Sequence, residues 1–277
     1  MPTARHRGLD LHYEVSGEGP AVLLGHSFFC SGDMWAPQVG PLAERHTVIN
    51  VDARGHGASD RAPAGTTLDD MLGDMLAVLD HAGVERAVWA GLSMGGMVAL
   101  RAALAAPERV DGLVLLDTDA GSEKMRLRIE YRTLSGLARL VGLRPALAQV
   151  TKLMFGATSH RARPELVAEW KRRFAEVDVP SIRNMLGAIT GREDLLPRLG
   201  EVEVPALVIV GAEDLSLPPA RSRRLAEALP RARYEEVPGA GHLSTLERPR
   251  AVTRLMLDFL EELDPGGRSG PRPGSGR

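Results

Sequence analysis

Gly91-Leu92-Ser93-Met94-Gly95-Gly96 is the stretch that decides the fold. It fits the pattern G-x-S-x-G. Ala87-Val88-Trp89-Ala90 precedes it, a short apolar run that reads as a buried strand. Met97-Val98-Ala99-Leu100-Arg101-Ala102-Ala103-Leu104 follows, a run of good helix formers. The serine is therefore expected at a strand-to-helix turn, the setting that the pattern requires. Glycines suit such a turn because strand and helix backbones pass close together and the turn is strained. The pattern alone says little in a chain with 30 glycines, so its meaning depends on partners elsewhere.

Upstream, Leu9, Leu11, Tyr13 and Val15 alternate with polar residues, as in a half-buried strand, and residues 5–7 can pair with it across Gly8. Ala21-Val22-Leu23-Leu24-Gly25 is continuously apolar, like a strand covered on both faces. A helix is predicted from Asp33 to about Ala43, and a strand over Thr47-Val48-Ile49-Asn50-Val51-Asp52. Thr67-x-x-Asp70 resembles a capping box that opens a helix through Leu79. Gly112-Leu113-Val114-Leu115-Leu116 is the next strand. Strands alternating with helices imply right-handed crossovers and a parallel sheet.

The alternation then stops. From about residue 120 to 199 the pattern is helical, with Leu134, Leu137, Leu140 and Val141 on one face and Leu166 and Trp170 on another. It resumes at Ala206-Leu207-Val208-Ile209-Val210, with a helix near 220–229, a strand near 233–237 and a last helix over 250–263. The expected organisation is one α/β core, residues 1–119 and 200–263, interrupted by a helical cap, residues 120–199. The Gly-, Pro-, Ser- and Arg-rich residues 264–277 read as a disordered tail.

Bulk properties narrow the function classes. The 277 residues are 44% hydrophobic and 25% charged, an ordinary globular composition. A net charge of -2 leaves no electrostatic footprint for nucleic acid or an anionic membrane, so the expected partner is a small molecule. One cysteine, Cys30, precludes an internal disulfide. Met1-Pro2-Thr3-Ala4-Arg5-His6-Arg7 lacks the apolar core of a signal peptide, and no stretch suits a bilayer span, so a cytoplasmic setting is expected.

A serine hydroxyl is a poor nucleophile at neutral pH and needs a base, which in turn needs an orienting group. On an elbow of this kind the partners follow in the order serine, acid, histidine. Val208-Ile209-Val210-Gly211-Ala212-Glu213-Asp214 runs from strand to loop and places Asp214 beyond a carboxyl end. Gly239-Ala240-Gly241-His242 follows the last strand in the same way. The expected catalytic set is Ser93, Asp214 and His242, with Asp117 or Asp119 as the rival acid. The expected oxyanion donors are the backbone N–H groups of Met94 and of Phe28, in the loop Gly25-His26-Ser27-Phe28-Phe29. Phe29, Leu215, Leu217 and Leu243 flank these positions as candidate pocket residues, and Met154, Phe155, Met185 and Leu186 as candidate cap contacts.

Other residues carry blander readings. His26 reads as a structural support of the oxyanion loop and His56 as turn structure. Cys30 reads as a small packed hydrophobe. Histidines and methionines lack ligand spacing, so neither metal nor cofactor is expected. Lys171-Arg172-Arg173 and the Arg221, Arg223, Arg224 cluster read as solvated helix faces. Arg126, Arg128 and Arg132 are candidates to bind a substrate carboxylate.

Five blocks together resemble the α/β-hydrolase superfamily: Gly25-His26-Ser27-Phe28, Asp52-Ala53-Arg54-Gly55-His56-Gly57-Ala58-Ser59, residues 91–96, Gly211-Ala212-Glu213-Asp214 and Gly239-Ala240-Gly241-His242. They occur in family order over residues 21 to about 262. The chain is similar to the small cap-bearing branch: cofactor-free haloperoxidases and perhydrolases, 3-oxoadipate enol-lactonases, carboxylesterases and carbon–carbon bond hydrolases. The resemblance implies a mostly parallel eight-stranded sheet flanked by helices, and cleavage of a small ester or lactone through an acyl-enzyme. Many relatives have His-Gly where this chain has His26-Ser27, and the enol-lactonase branch tolerates the serine. A serine at position 93 argues against the dehalogenases, which use an aspartate nucleophile. Carbon–carbon hydrolysis, acyl transfer and a non-catalytic ligand receptor are the alternative readings. Perhydrolysis is a further activity that the same site could support.

Overall fold

The alternating residues 9–16 become the second of eight strands. The computed structural model describes residues 2–123 and 144–263. Its strands are β1 (Thr3–His6), β2 (Leu9–Ser16), β3 (Ala21–Gly25), β4 (Thr47–Val51), β5 (Ala87–Leu92), β6 (Val110–Leu116), β7 (Ala206–Gly211) and β8 (Ala232–Val237). They form one sheet in the order β1-β2-β4-β3-β5-β6-β7-β8. β1 and β2 are a hairpin across Gly8, whose φ of 83° suits a residue without a Cβ. β2 is antiparallel to β4, and every later pairing is parallel.

Parallel neighbours need crossovers, and helices supply them. The predicted 33–43 helix is split into a 3-10 turn, Gly32–Trp35, and α1 (Ala36–Ala43), with Pro37 in its first turn. α2 (Leu68–His81) opens on the expected capping box. Thr67 Oγ1 accepts from the Asp70 amide at 3.1 Å, and Asp70 Oδ2 accepts from the Thr67 amide at 3.0 Å. α3 (Met94–Ala105) follows β5 directly. Its backbone enters close to the sheet because Gly91, Gly95 and Gly25 have no side chains: a Cβ on Gly95 would lie 2.2 Å from the Gly25 carbonyl oxygen.

Successive residues of a strand face opposite sides of the sheet, so the apolar runs feed two cores. Trp89, Leu113 and Leu115 pack on one side with Met71, Met75 and Met97. Val88, Ala90, Leu92, Val114 and Leu116 pack on the other with Trp35, Phe259 and Leu260.

Between β6 and β7 the described chain is helical: α4 (Leu147–Met154), α5 (Ala157–Ala162), α6 (Pro164–Ala175) and α7 (Val179–Thr190). α6 buries Val167, Trp170 and Phe174, while Leu166 is only partly buried. The second core thus extends into the helical insertion. The face predicted from Leu134, Leu137, Leu140 and Val141 lies outside the described residues, as do Arg126, Arg128, Arg132 and residues 264–277. α8 (Pro219–Ala228), a short α9 (Ser244–Glu247) and α10 (Pro249–Leu263) complete the chain. Among the described residues no helix is long and apolar enough to cross a membrane.

Candidate active site

Four adjacent parallel strands deliver the chemistry-bearing residues to one edge. Ser93 follows β5, Asp117 follows β6, Asp214 lies in the loop after β7, and His242 in the loop after β8. This carboxyl-end edge is where open α/β sheets bind ligands.

Ser93 is the single residue between β5 and α3. Its backbone sits at φ 54° and ψ -110°, a conformation that side-chain-bearing residues rarely adopt. Three bonds hold it there. The Ser93 amide donates to the Leu116 carbonyl at 2.8 Å. Its own carbonyl accepts from the Met97 amide at 3.0 Å and the Thr118 hydroxyl at 2.7 Å.

Asp214 and His242 meet at 2.8 Å, Oδ2 to Nδ1. The other carboxylate oxygen of Asp214 accepts from the amides of Ser216 at 2.8 Å and Leu217 at 2.9 Å. Both side chains are buried. Burial alone would depress the imidazole. The Asp214 carboxylate, helped by Asp117 and Glu247, outweighs it and holds His242 above the ordinary histidine value.

The rival acids have other partners. Asp117 is fully buried and spends its carboxyl on the Gly211 amide at 2.7 Å and the Ser244 hydroxyl at 2.5 Å. Burial, reinforced by the nearby Asp214 charge, pushes Asp117 well above the usual carboxylate range. Asp119 joins Arg221, at 2.9 Å, and Arg192, at 3.5 Å, in a network that includes Glu123. Arg221 is therefore part of that network rather than a solvated face, a placement that charge clustering in the sequence does not reveal. Arg173 is exposed but engaged, pairing with Asp33 at 2.7 Å and lying over the Trp170 ring at 5.0 Å.

Met94 is the first residue of α3, where amides lack an intrahelical acceptor. The next amide, of Gly95, donates to the His26 carbonyl at 3.1 Å, tying the helix to the loop after β3. In that loop Ser27–Cys30 forms a turn closed by the Cys30 amide on the Ser27 carbonyl at 3.1 Å. Phe29 takes a φ of 66°, and the Phe28 amide is not the one that closes the turn.

His26 supports this loop. Its Nδ1 lies 2.8 Å from the Ser27 carbonyl, and its Nε2 accepts from the Ala53 amide at 2.9 Å. Burial lowers its pKa, consistent with a neutral ring whose two nitrogens are both engaged. His56 packs edge-on against it and is pushed down to about 3 by burial and by His26. Asp52 braces the same region by accepting from the amides of Gly32 at 2.7 Å and Ala58 at 2.9 Å. Cys30 is buried in the second core, and burial raises its thiol well above the ordinary range.

The four candidate pocket residues separate. Phe29 lines a cavity of about 360 Å³ with His56, Trp170, Arg173 and Ser181. Leu215 is 55% exposed. Leu217 and Leu243 are buried in opposite cores. Met154, Phe155 and Met185 are likewise buried core residues, and Leu186 is partly buried. Two acids not singled out from the sequence are prominent here: Glu213 beside Asp214, and buried Glu247 after His242. Spacing alone gave no signal for either.

Comparison with known proteins identifies the fold family. The sequence model described as alpha/beta hydrolase fold matches residues 20–249. A protein provisionally named carbamate hydrolase RutD, from Azorhizobium caulinodans, is 32% identical and spans 95% of this chain and 100% of its own length. The enol-lactonase of Burkholderia xenovorans LB400 is 34% identical over 94% of this chain and 99% of that one, with a TM-score of 0.87. A thermophilic esterase of Thermogutta terrifontis is 28% identical over 94% and 97%, with a TM-score of 0.89.

Proposed function

The chain belongs to the α/β hydrolase fold family, and on that premise we propose that it is a serine hydrolase cleaving a small ester or lactone. The Asp214–His242 bond carries the reading: 2.8 Å long, buried, with the second carboxylate oxygen held by two amides. An acid held in this way orients an imidazole and stabilises the imidazolium formed during turnover.

Ser93 Oγ attacks the substrate carbonyl carbon while His242 Nε2 takes the hydroxyl proton. The carbonyl oxygen gains the charge and is stabilised by the amides of Met94 and Phe28. Collapse breaks the bond to the leaving alkoxide, which receives the proton from His242. Water then attacks the acyl-enzyme with His242 again as base, releasing the acid and restoring Ser93. Removing one oxyanion donor from such a site costs on the order of 100- to 1000-fold in kcat.

The similarity to an enol-lactonase and an esterase supports a carboxylic ester or lactone as substrate. The full-length similarity to the RutD protein makes a carbamate the second reading, since attack on its carbonyl needs the same groups. A fluorophosphonate probe tests the nucleophile: wild type labels and Ser93→Ala does not. Equal labelling of the two would reject the mechanism. A panel of esters, lactones, carbamates and diketones, with products identified, then ranks the substrates. Turnover confined to diketones or to alcohol acceptors would reject ester and lactone hydrolysis.

A further inference from the structure

The loop that carries His242 is clasped by the helical insertion. Glu247 is 1% exposed and bridges the two. Its Oε1 accepts from the Gly241 amide at 2.8 Å, and its Oε2 from the Gly156 amide at 2.9 Å. The Leu243 amide donates to the Met154 carbonyl at 3.1 Å, so both neighbours of His242 are bonded into this junction. Glu213, beside Asp214, accepts from the Thr158 amide at 2.7 Å and also from its hydroxyl. Arg163 donates to the Leu246 carbonyl at 2.9 Å.

The junction is closely fitted. A Cβ on Gly241 would lie 2.2 Å from the Gly156 nitrogen. A Cβ on Gly156 would lie 2.8 Å from the Gly241 nitrogen and 2.6 Å from a Glu213 carboxylate oxygen. Two glycines therefore let the backbones touch, and a buried carboxylate binds one amide from each. The insertion does not merely lie over the sheet edge; it is bonded to the loops of both the base and the acid.

We propose that Glu247 is a positioning residue for His242, making the docking of residues 154–158 on the histidine loop a condition for the His242–Asp214 geometry. The proposal rests on the reading of His242 as the base. Glu247 touches no reacting atom and acts through the Gly241 amide. Movement of the insertion is thereby coupled to competence of the catalytic pair, whatever substrate is bound.

Two variants test it, with p-nitrophenyl acetate as substrate. Glu247→Gln keeps the volume but turns one acceptor into a donor facing an amide. Gly156→Ala leaves every charge in place and wedges the two segments apart. Each is expected to lower kcat on the order of 10- to 100-fold through misplacement of the base, with KM little changed. Each is also expected to shift the far-downfield proton resonance of His242 Nδ1. A folded variant of either kind with wild-type kcat and an unmoved resonance would overturn the proposal, and Gly156→Ala decides alone if Glu247→Gln does not fold. Ser93→Ala keeps the two readings apart. It should abolish turnover while leaving the resonance in place, and persistent turnover would reject the serine mechanism rather than the role of Glu247.

Discussion

The Asp117 carboxyl closes on the Ser244 hydroxyl at 2.5 Å, two residues beyond His242, and not on the imidazole. Asp214, one strand further along the sheet, is the acid bonded to His242. Two carboxyls at one sheet edge thus have separate duties. Asp214→Asn is expected to lower kcat on the order of 10³- to 10⁴-fold, because the amide favours the wrong imidazole tautomer. Asp117→Asn is expected to keep most of the activity. Its amide oxygen can still accept from Gly211, and its NH2 can donate to the Ser244 hydroxyl. Steady-state kinetics on the two variants decide it; comparable losses would assign both acids to the base.

Asp117 also makes stability depend on pH. Its folded pKa is raised by burial, so the native state holds this proton more tightly than the unfolded chain does. Its contribution is fully present below the unfolded carboxylate value, falls as pH rises through the raised folded value, and is constant above it. Asp117→Asn mimics the protonated form at every pH. Urea unfolding across a pH series should show the variant gaining on wild type as pH increases, and parallel curves would contradict this.

The pH dependence of activity follows from His242. In the proposed mechanism His242 must be neutral to accept the Ser93 proton, and Asp214 holds its pKa above the ordinary imidazole value. The acid limb of the kcat/KM profile is therefore expected above that value, with activity falling as pH drops through it. Asp214→Asn removes the main raising charge and should move the limb to lower pH. A wild-type limb in the ordinary carboxylate range would point to a different titrating base.

What the sequence disclosed here depended on range. Ser93, Asp214 and His242 are legible as candidates because each follows a strand that the sequence discloses, and strand ends in a parallel sheet converge without any side-chain detail. The capping box at Thr67 was legible because it closes within three residues. Local pattern does not separate Asp214 from Asp117, since both follow strands; the bonds from Gly211 and Ser244 that occupy Asp117 span 94 and 127 residues. Glu247 is not legible from local pattern because its Gly156 partner lies 91 residues away. Leu243 reads as a pocket residue from its neighbour His242, but the turn into α9 points it into the core. Local pattern names the groups, whereas long-range bonds decide what each is free to do.

Ser93 itself is held at some cost to stability. Its φ of 54° belongs to a region where a non-glycine residue costs about 1–3 kcal/mol. The surrounding bonds from Leu116, Met97 and Thr118 maintain it. Ser93→Ala removes the hydroxyl but keeps the Cβ, so it should retain the strain. Ser93→Gly removes both, and glycine loses about 0.5–1 kcal/mol in chain entropy on folding. The difference leaves Ser93→Gly more stable than Ser93→Ala by about 1 kcal/mol, with both inactive. Equilibrium denaturation of the two measures it directly. Ser93→Gly less stable than Ser93→Ala by about 0.5–1 kcal/mol, the entropy term alone, would mean that the elbow accommodates a side chain without strain and that its glycines serve close approach alone.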